Sequence, residues 1–303
     1  MRAWLAQDYV SRYLGDPEDW LHEIVENLTS GWIKYFIAET DRPVGFLQYY
    51  HTGMAPAGPW SEAPVDTAGI DFLIGDREYL GKGYGAKMTG LFVEYIRSMN
   101  EFDHIVADPD ERNIASVKTL QKCGFKPDKN GLYRLDLTSA DFEIFRAKKT
   151  DAMEIAALFR DTIRNVNSKD YSKAEIEAWS SRYADYDCWE SKISEQYFLK
   201  AVKGDRIVGF ASLRENGYID YVFTHKDYQG RGIATELTKK LEKKGVAQGF
   251  SRFFSEVSLS AKSFFEKNGF AAIKRQKKRT GNEELINFMM EKSISNLTHR
   301  ETK

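Results

Sequence analysis

Two stretches decide the fold because they repeat one another: GIDFLIGDREYLGKGYGAKM at residues 69–88 and YIDYVFTHKDYQGRGIATEL at residues 218–237. In each stretch an Ile-Asp pair comes first, and a glycine, Gly83 or Gly232, follows 12 residues after the aspartate. Three explanations are open at this point: chance, two halves of one nucleotide site, or one domain used twice.

The sequences around the two stretches also correspond. Each stretch follows two apolar segments joined by a polar turn (35–50 and 197–213), a pattern typical of a β-hairpin. Each is followed by helical periodicity, a short strand and a short helix that ends in KCGF (122–125) or KNGF (267–270). Agreement over this length excludes chance and indicates a whole domain, roughly 150 residues long, used twice.

The length of the chain agrees with two domains. Its 303 residues are 42% hydrophobic, which is enough apolar material for two packed cores. We place the boundary between residues 138 and 139, which gives domains of 1–138 and 139–303. No run reaches the roughly 18 apolar residues of a membrane span, and residues 1–10 lack the apolar core of a signal peptide. The sequence therefore predicts a cytoplasmic protein without a membrane partner.

Charge is distributed unequally between the halves. Residues 1–140 contain 14 Lys and Arg against 21 Asp and Glu, whereas the rest contains 30 against 24. The acidic half favours cationic partners; the alternative is that the two domains simply attract each other. The basic run at residues 273–279 is interpreted as a solvated strand rather than a nucleic-acid site. The five histidines lack metal-ligand spacing, so we predict no metal.

A strand that enters a glycine-rich loop and then a helix can bind an anion. The glycines allow backbone N–H groups to approach a phosphate, and the helix N-terminus adds roughly half a positive charge. Lys82 and Arg231, at matching positions, add a counter-charge. Neither a Walker A loop nor a dinucleotide fingerprint fits, because no Gly-Lys-Ser/Thr follows and no βαβ unit with its distal acid is present.

The full order of elements is more specific and resembles the GNAT superfamily of acyl-CoA N-acyltransferases in both halves. The resemblance implies two tandem α+β folds, each a mixed, mostly antiparallel sheet flanked by helices. Residues 1–137 resemble the aminoglycoside 6′-N-acetyltransferases, although the first strand of that fold is missing from this sequence. Residues 141–294 resemble a bacterial GNAT group of loosely defined substrate.

The resemblance also implies a site. In this family the motif Q/R-x-x-G-x-G/A binds the pyrophosphate of acetyl-CoA, and Leu80 departs from it in the first copy. The expected acetyl-CoA contacts are Leu73, Gly75, Leu80, Gly81, Lys82, Gly83, Tyr84, Gly85 and Asn113 in the first domain, and Val222, Thr224, Gln229, Gly230, Arg231, Gly232, Ile233, Ala234 and Ser258 in the second. The expected contacts to a cationic acceptor are Trp60, Glu62, Asp66 and Asp108.

Acetyl transfer to an amine needs a base, and Asp71 and Asp220 are the candidates. Strand alternation places Asp71 on the face of Leu73, opposite Ile70, Phe72 and Ile74. The alternative for Asp71 is a turn-capping role, and only spacing supports Asp220. Backbone N–H groups near Leu73–Gly75 and Val222–Thr224 would polarise the thioester carbonyl.

No side chain is an evident proton donor for the departing thiolate in either domain. The family places a tyrosine at positions that Leu120 and Phe265 occupy here. The predicted function is acetyl-CoA-dependent N-acetylation of a small cationic amine, an aminoglycoside or a similar molecule. The alternatives are a non-catalytic acyl-CoA-binding or regulatory protein, and a protein or peptide acetyltransferase acting through the second domain. The oligomeric state is left open.

Overall fold

The computed structural model describes residues 1–138, 140–181 and 186–294, and for Tyr186 the backbone only. The chain divides into two compact units, Met1–Ala140 (unit 1) and Asp141–Lys303 (unit 2). The predicted boundary at residue 139 lies outside the described residues. In the described part of the chain, no helix is both long and apolar enough to cross a bilayer.

Unit 1 begins with helices and continues into a single sheet. Its helices are α1 (Arg2–Leu5), α2 (Asp8–Leu14), α3 (Pro17–Asn27), α4 (Tyr84–Ser98) and α5 (Ile114–Lys122). Its strands are β1 (Ile33–Glu39), β2 (Pro43–His51), β3 (Thr67–Ile74), β4 (His104–Ala107), β5 (Lys126–Pro127) and β6 (Tyr133–Asp136), in the order β1-β2-β3-β4-β6-β5. No strand precedes β1 within the described residues of unit 1.

Unit 2 repeats this order with an additional first strand. Its helices are α6 (Ala152–Asn165), α7 (Lys173–Ser180), α8 (Tyr186–Glu195), α9 (Ile233–Ala247) and α10 (Lys262–Lys267). Its strands are β7 (Glu143–Arg146), β8 (Tyr197–Lys203), β9 (Arg206–Leu213), β10 (Ile219–Thr224), β11 (Arg252–Ser258), β12 (Ala271–Thr280) and β13 (Glu283–Ser293). They form two sheets, β7-β8-β9-β10 and β11-β13-β12. The sheet of unit 1 is mixed and the two sheets of unit 2 are antiparallel, and together with the flanking helices they confirm the predicted α+β class.

The sheet of unit 1 is covered on both faces, as the alternation of β3 predicts. Ile70, Phe72 and Ile74 pack in the cluster that contains α4, whereas Leu73 packs in the cluster formed by the N-terminal helices. β3 pairs with β4 in parallel over Thr67–Gly69 only, so the rest of β3 diverges from β4. This divergence opens a gap beside Asp71.

In unit 2 the divergence is larger. Strands β10 and β11 belong to different sheets, and the bridge recorded between these regions joins Tyr218 to Phe254. The aromatic core below them is formed mainly by Phe159, Trp189, Phe198 and Phe210. A wide cleft therefore opens between β10 and β11.

Candidate functional site

The two glycine loops adopt the same backbone conformation. Gly81 and Gly83 have φ angles of 71° and 83°, and their counterparts Gly230 and Gly232 have 74° and 81°. These left-handed angles favour glycine strongly. Gly83 and Gly232 directly precede α4 and α9, so the unbonded N–H groups of each first helical turn border the loop. The geometry is suited to an anion, as the sequence predicts.

The side chains beside the glycines differ between the units. Gln229 donates from Nε2 to the main-chain oxygen of Thr224, which ties the second loop to the end of β10. Leu80 stands at that position in unit 1 and is 40% exposed. Lys82 and Arg231 are exposed, and the Arg231 guanidinium lies 5.0 Å from the ring centre of Tyr228.

A cavity of about 870 Å³ occupies the cleft of unit 2. Its lining includes all of the site residues predicted for this unit except Arg231, namely Asp220, Val222, Thr224, Gln229, Gly230, Gly232, Ile233, Ala234 and Ser258. The hydroxyl of Ser258 accepts from the amide of Ala261, 3.2 Å away. The volume of this cleft is within the range of small-molecule sites.

The cavity beside Asp71 in unit 1 has a volume of only about 80 Å³. Of the predicted site residues it brings together Asp71, Leu73, Asp108 and Asn113. Tyr13, Leu14 and Trp20, from α2 and α3, form the opposite wall. The glycine-loop residues and Tyr84 do not line this cavity.

Asp71 lies in an environment that disfavours negative charge. Burial raises the pKa of its carboxyl to about 6, and a hydrogen bond from Gln48, 2.8 Å from Oδ2, opposes the increase. The acidic groups of Glu23 and Asp108 raise the pKa further. Burial also raises the pKa of Asp108. At neutral pH Asp71 is therefore ionised but more basic than an ordinary carboxylate.

Asp220 lies in the opposite environment. Its Oδ2 accepts from Arg214 Nη2 at 2.7 Å and from Gln196 Nε2 at 2.9 Å, and Lys192 Nζ lies 4.0 Å away. The register of β10 against β9 shifts between Ile219 and Tyr221, so Asp220 sits at an irregularity in the strand. The Arg214 guanidinium and the Gln196 amide therefore occupy the carboxylate oxygen that a base would use.

The predicted acceptor residues of the loop 52–66 are spread out. Trp60 is partly buried against Tyr50, with ring centres 5.1 Å apart, and its Nε1 donates to the oxygen of Pro56. Glu62 is exposed. Asp66 precedes β3, and its carboxylate lies 3.8 Å from His51 Nε2. None of the three lines the cavity at Asp71.

The amide of Gly75 is engaged within the sheet. It donates to the oxygen of Val44 at 2.8 Å, and a Cβ at this glycine would lie 1.9 Å from the ring of Trp4. The hydroxyl of Tyr9 donates to the oxygens of Ile74 and Gly75. Helices α1 and α2 therefore cover the end of β3 where a carbonyl-polarising amide was expected.

Several residues of the site were missed from sequence. Gln48 and Gln196, which donate to the two aspartates, carry no motif; for Gln48, the one available signal was a polar residue in an apolar strand. Leu120 and Phe265, at the position of the family's tyrosine, are 0% and 3% exposed and line the cavities of their units. Asn113 caps α5 through its Oδ1, which accepts from the amide of Ser116.

Comparison with known proteins finds the same family in both units. Two family models described as "Acetyltransferase (GNAT) domain" match residues 1–131 and 167–292. The "Uncharacterized N-acetyltransferase YafP" of Escherichia coli is 31% identical over 140 residues, which are 46% of this chain and 88% of that protein. The "Aminoglycoside N(6')-acetyltransferase type 1" of Klebsiella pneumoniae is 30% identical over 94 residues, and the match spans 30% of this chain and 46% of that protein.

Solved structures also match about half of this chain. The PaiA N-acetyltransferase of Thermoplasma acidophilum, solved in complex with coenzyme A, has a TM-score of 0.43 and is 21% identical. The match covers 50% of this chain and 98% of that one. The two family matches and the coverage of YafP show that this chain belongs to the GNAT acetyltransferases and is an N-acetyltransferase with two such domains.

Proposed function

We propose that unit 1 transfers the acetyl group of acetyl-CoA to a primary amine of a small polycation, an aminoglycoside 6′-amine or a similar group. The observation that supports this most strongly is the cluster of acidic residues around Asp71 in β3. The negative charges of Glu23 and Asp108 act on Asp71, and the described residues supply no cation to its carboxylate. An ammonium group would complete this arrangement, because opposite charges within a few ångströms stabilise each other.

Acetyl-CoA is the donor that family membership and the two glycine loops support. The loops would bind its diphosphate through backbone N–H groups, with Lys82 and Arg231 as outer counter-charges. The wide cleft of unit 2 extends from its loop to Ser258, so a long, thin ligand would have a continuous path there. No metal is needed for this chemistry.

Asp71 would act as the general base. The bound ammonium gives a proton to the carboxylate, the free amine attacks the thioester carbon, and a C–N bond forms as the C–S bond breaks. The attacked nitrogen then loses its second proton, which passes through water to the CoA thiolate because Leu120 cannot donate one, and Asp71 returns its proton to solvent. A thiol pKa near 8.5 makes the thiolate a reasonable leaving group. A carboxylate whose pKa is about 6 is a stronger base than one at 3.8 and is still ionised at pH 7.5.

The experiment measures thiol release from acetyl-CoA with kanamycin-like sugars, polyamines and neutral amines as acceptors. We expect release with the cationic acceptors, and a loss of about 10²- to 10⁴-fold in Asp71→Asn with acetyl-CoA affinity retained. Asp220→Asn is the matched control and should leave most of this activity. Activity should also fall as the pH decreases through about 6, where Asp71 becomes protonated. Full activity of Asp71→Asn would contradict the proposal.

A second candidate applies to unit 2 alone, and the ion pair of Asp220 favours it. With Asp220 bound by Arg214 and Gln196, unit 2 would bind acyl-CoA without rapid turnover and act as a sensor or regulatory domain. Calorimetric binding of acetyl-CoA at two sites in a chain that carries Asp71→Asn, without thiol release from any acceptor, would support this reading. Release that is abolished only by Asp220→Asn would exclude it.

A further inference from the structure

Gln48 is placed to control the candidate base. It lies in β2 directly opposite Asp71 in the β2–β3 register, and its side chain is 3% exposed. Its Nε2 donates to Asp71 Oδ2 over 2.8 Å. An ionised carboxylate accepts and cannot donate, so the amide must turn its nitrogen toward Asp71. Gln48 Oε1 is then left buried without a hydrogen-bond partner among the described residues.

Unit 2 contains the same contact from a different strand. Gln196, the residue before β8, donates from Nε2 to Asp220 Oδ2 over 2.9 Å, and its Oε1 is also buried without a partner in the described part of the chain. Gln48 stands on the strand next to its aspartate, whereas β8 is separated from β10 by β9. The contact therefore does not follow from the repeated sequence. An amide donor on this carboxylate oxygen is a feature of both sites.

We propose that Gln48 is a positioning residue for acyl transfer in unit 1: it holds Asp71 Oδ2 so that Oδ1 is presented to the acceptor amine. This inference rests on the proposed function of Asp71. The bond does two things, because it restricts the rotation of the carboxylate and it favours the ionised form over the neutral one. A buried amide oxygen without a donor is the cost of the arrangement, which argues against a merely structural role for this glutamine.

Among the groups that affect the ionisation of Asp71, Gln48 is the one that favours the ionised carboxylate. In addition to burial, Glu23 from α3 and Asp108 after β4 raise the pKa of Asp71. Burial, and then the negative charge of Asp71, raise the pKa of Tyr50 in β2. In unit 2 the Arg214 guanidinium shares Asp220 Oδ2 with Gln196, so loss of the amide leaves a donor in place. The positioning role is therefore assigned to Gln48 and not to Gln196.

The test replaces Gln48 by methionine, which has a similar volume and no amide. In the full chain with acetyl-CoA and a kanamycin-like acceptor, the acid limb of kcat/KM should move about one pH unit upward, because the ionised carboxylate loses a donor. We expect kcat at pH 7 to fall about tenfold while the KM for acetyl-CoA is unchanged. Gln121→Met, on the exposed face of α5, is the matched control and should change neither value.

A second measurement does not depend on turnover. With ¹³C-labelled aspartate, the carboxyl signal that disappears in Asp71→Asn is followed against pH in the protein without acceptor. Its midpoint should be higher in Gln48→Met than in the parent and in Gln121→Met. An unchanged midpoint in folded Gln48→Met, shown by an unaltered circular dichroism spectrum, would overturn the positioning role. A raised midpoint in a protein that acetylates nothing would show that Gln48 controls the ionisation of Asp71 and would refute the proposed function.

Discussion

Asp71 and Asp220 occupy the same place in a repeated sequence and have opposite surroundings. Asp71 lies near the carboxylates of Glu23 and Asp108, whereas Asp220 is bound by Arg214 and lies 4.0 Å from Lys192 Nζ. The two glycine loops, in contrast, agree in φ to within a few degrees. The comparison teaches that the backbone feature that would bind the donor is repeated and that the electrostatics around the two aspartates are not.

The cavities of the two units also differ, in this case in volume. The cleft of unit 2 measures about 870 Å³ and the cavity at Asp71 about 80 Å³. Tyr13, Leu14 and Trp20 line the small cavity beside Asp71 in unit 1. A sugar of aminoglycoside size needs these side chains to move, or needs to present only its amine to the small cavity.

The largest expected effect is on stability, and its sign should differ between the units. The folded pKa of Asp71 is raised from 3.8 to about 6, so the native state binds the extra proton and loses stability as pH rises through this window. Asp71→Asn removes that loss and should increase the free energy of unfolding at pH 7.5 by at most about 3 kcal/mol. Near pH 4 the gain should vanish.

Asp220→Asn should instead lower stability by about 1 kcal/mol, because Arg214 and Gln196 lose a charged acceptor and the half-exposed Arg214 is partly screened. Hydrogen exchange resolved by unit, at pH 7.5 and pH 4, measures both changes. The control is Asp141→Asn, an exposed ion pair with Lys203 that should change little. Shifts of the same sign in both aspartate variants would break the contrast.

Much of this site could be predicted from the sequence, and the reasons are local. Glycines at φ angles near 80° and the strand alternation at Asp71 follow from backbone sterics and from a period of two. The approach of Arg214 to Asp220 could not be predicted, since it depends on how β9, β10 and the turn between them are placed. The covering of Gly75 by Trp4 depends likewise on how α1 packs onto the sheet.

The contacts of Gln48 and Gln196 show most clearly what could not be predicted from the sequence. Gln48 is opposite Asp71 only because β2 and β3 adopt one particular register. Gln196 reaches Asp220 from beyond the neighbouring strand, which no pattern of spacing indicates. Side-chain contacts across a sheet are set by register and bulges, so the sequence predicts which residues face the site better than which atoms meet there.

A smaller effect is expected from the glycine loops, where the units should behave alike. Valine at Gly83 or Gly232 must adopt a left-handed φ, which strains the loop by about 1–2 kcal/mol and brings a side chain toward the bound diphosphate. Each variant should weaken acetyl-CoA binding to its own unit about tenfold or more. Calorimetry should show two sites in the parent chain and one in each variant.

The control for this pair is Gly204→Val, which carries the same strain at φ 60° in the turn between β8 and β9. It should lower stability without changing acetyl-CoA affinity. If either loop variant binds like the parent chain, the loop of that unit does not hold the coenzyme. If the parent shows a single site, the variant that removes it identifies which of the two repeated loops is used.

The smallest effect is expected when Gln229 and Leu80, the residues that distinguish the two loops, are exchanged. Gln229 ties its loop to β10 by donating to the oxygens of Thr224 and His225, and Leu80 has no amide to do so. Gln229→Leu should therefore weaken acetyl-CoA binding in unit 2 by about two- to tenfold, the range of one neutral hydrogen bond. Leu80→Gln should strengthen binding in unit 1 by less, because its strand end is already covered by Trp4. Gln229→Met keeps the length but not the donor, so it separates the hydrogen bond from packing. Gln229→Leu could bind acetyl-CoA as tightly as the parent while Gly232→Val does not. In that case the backbone alone binds the diphosphate, and the two loops are equivalent although one has glutamine and the other leucine at this position.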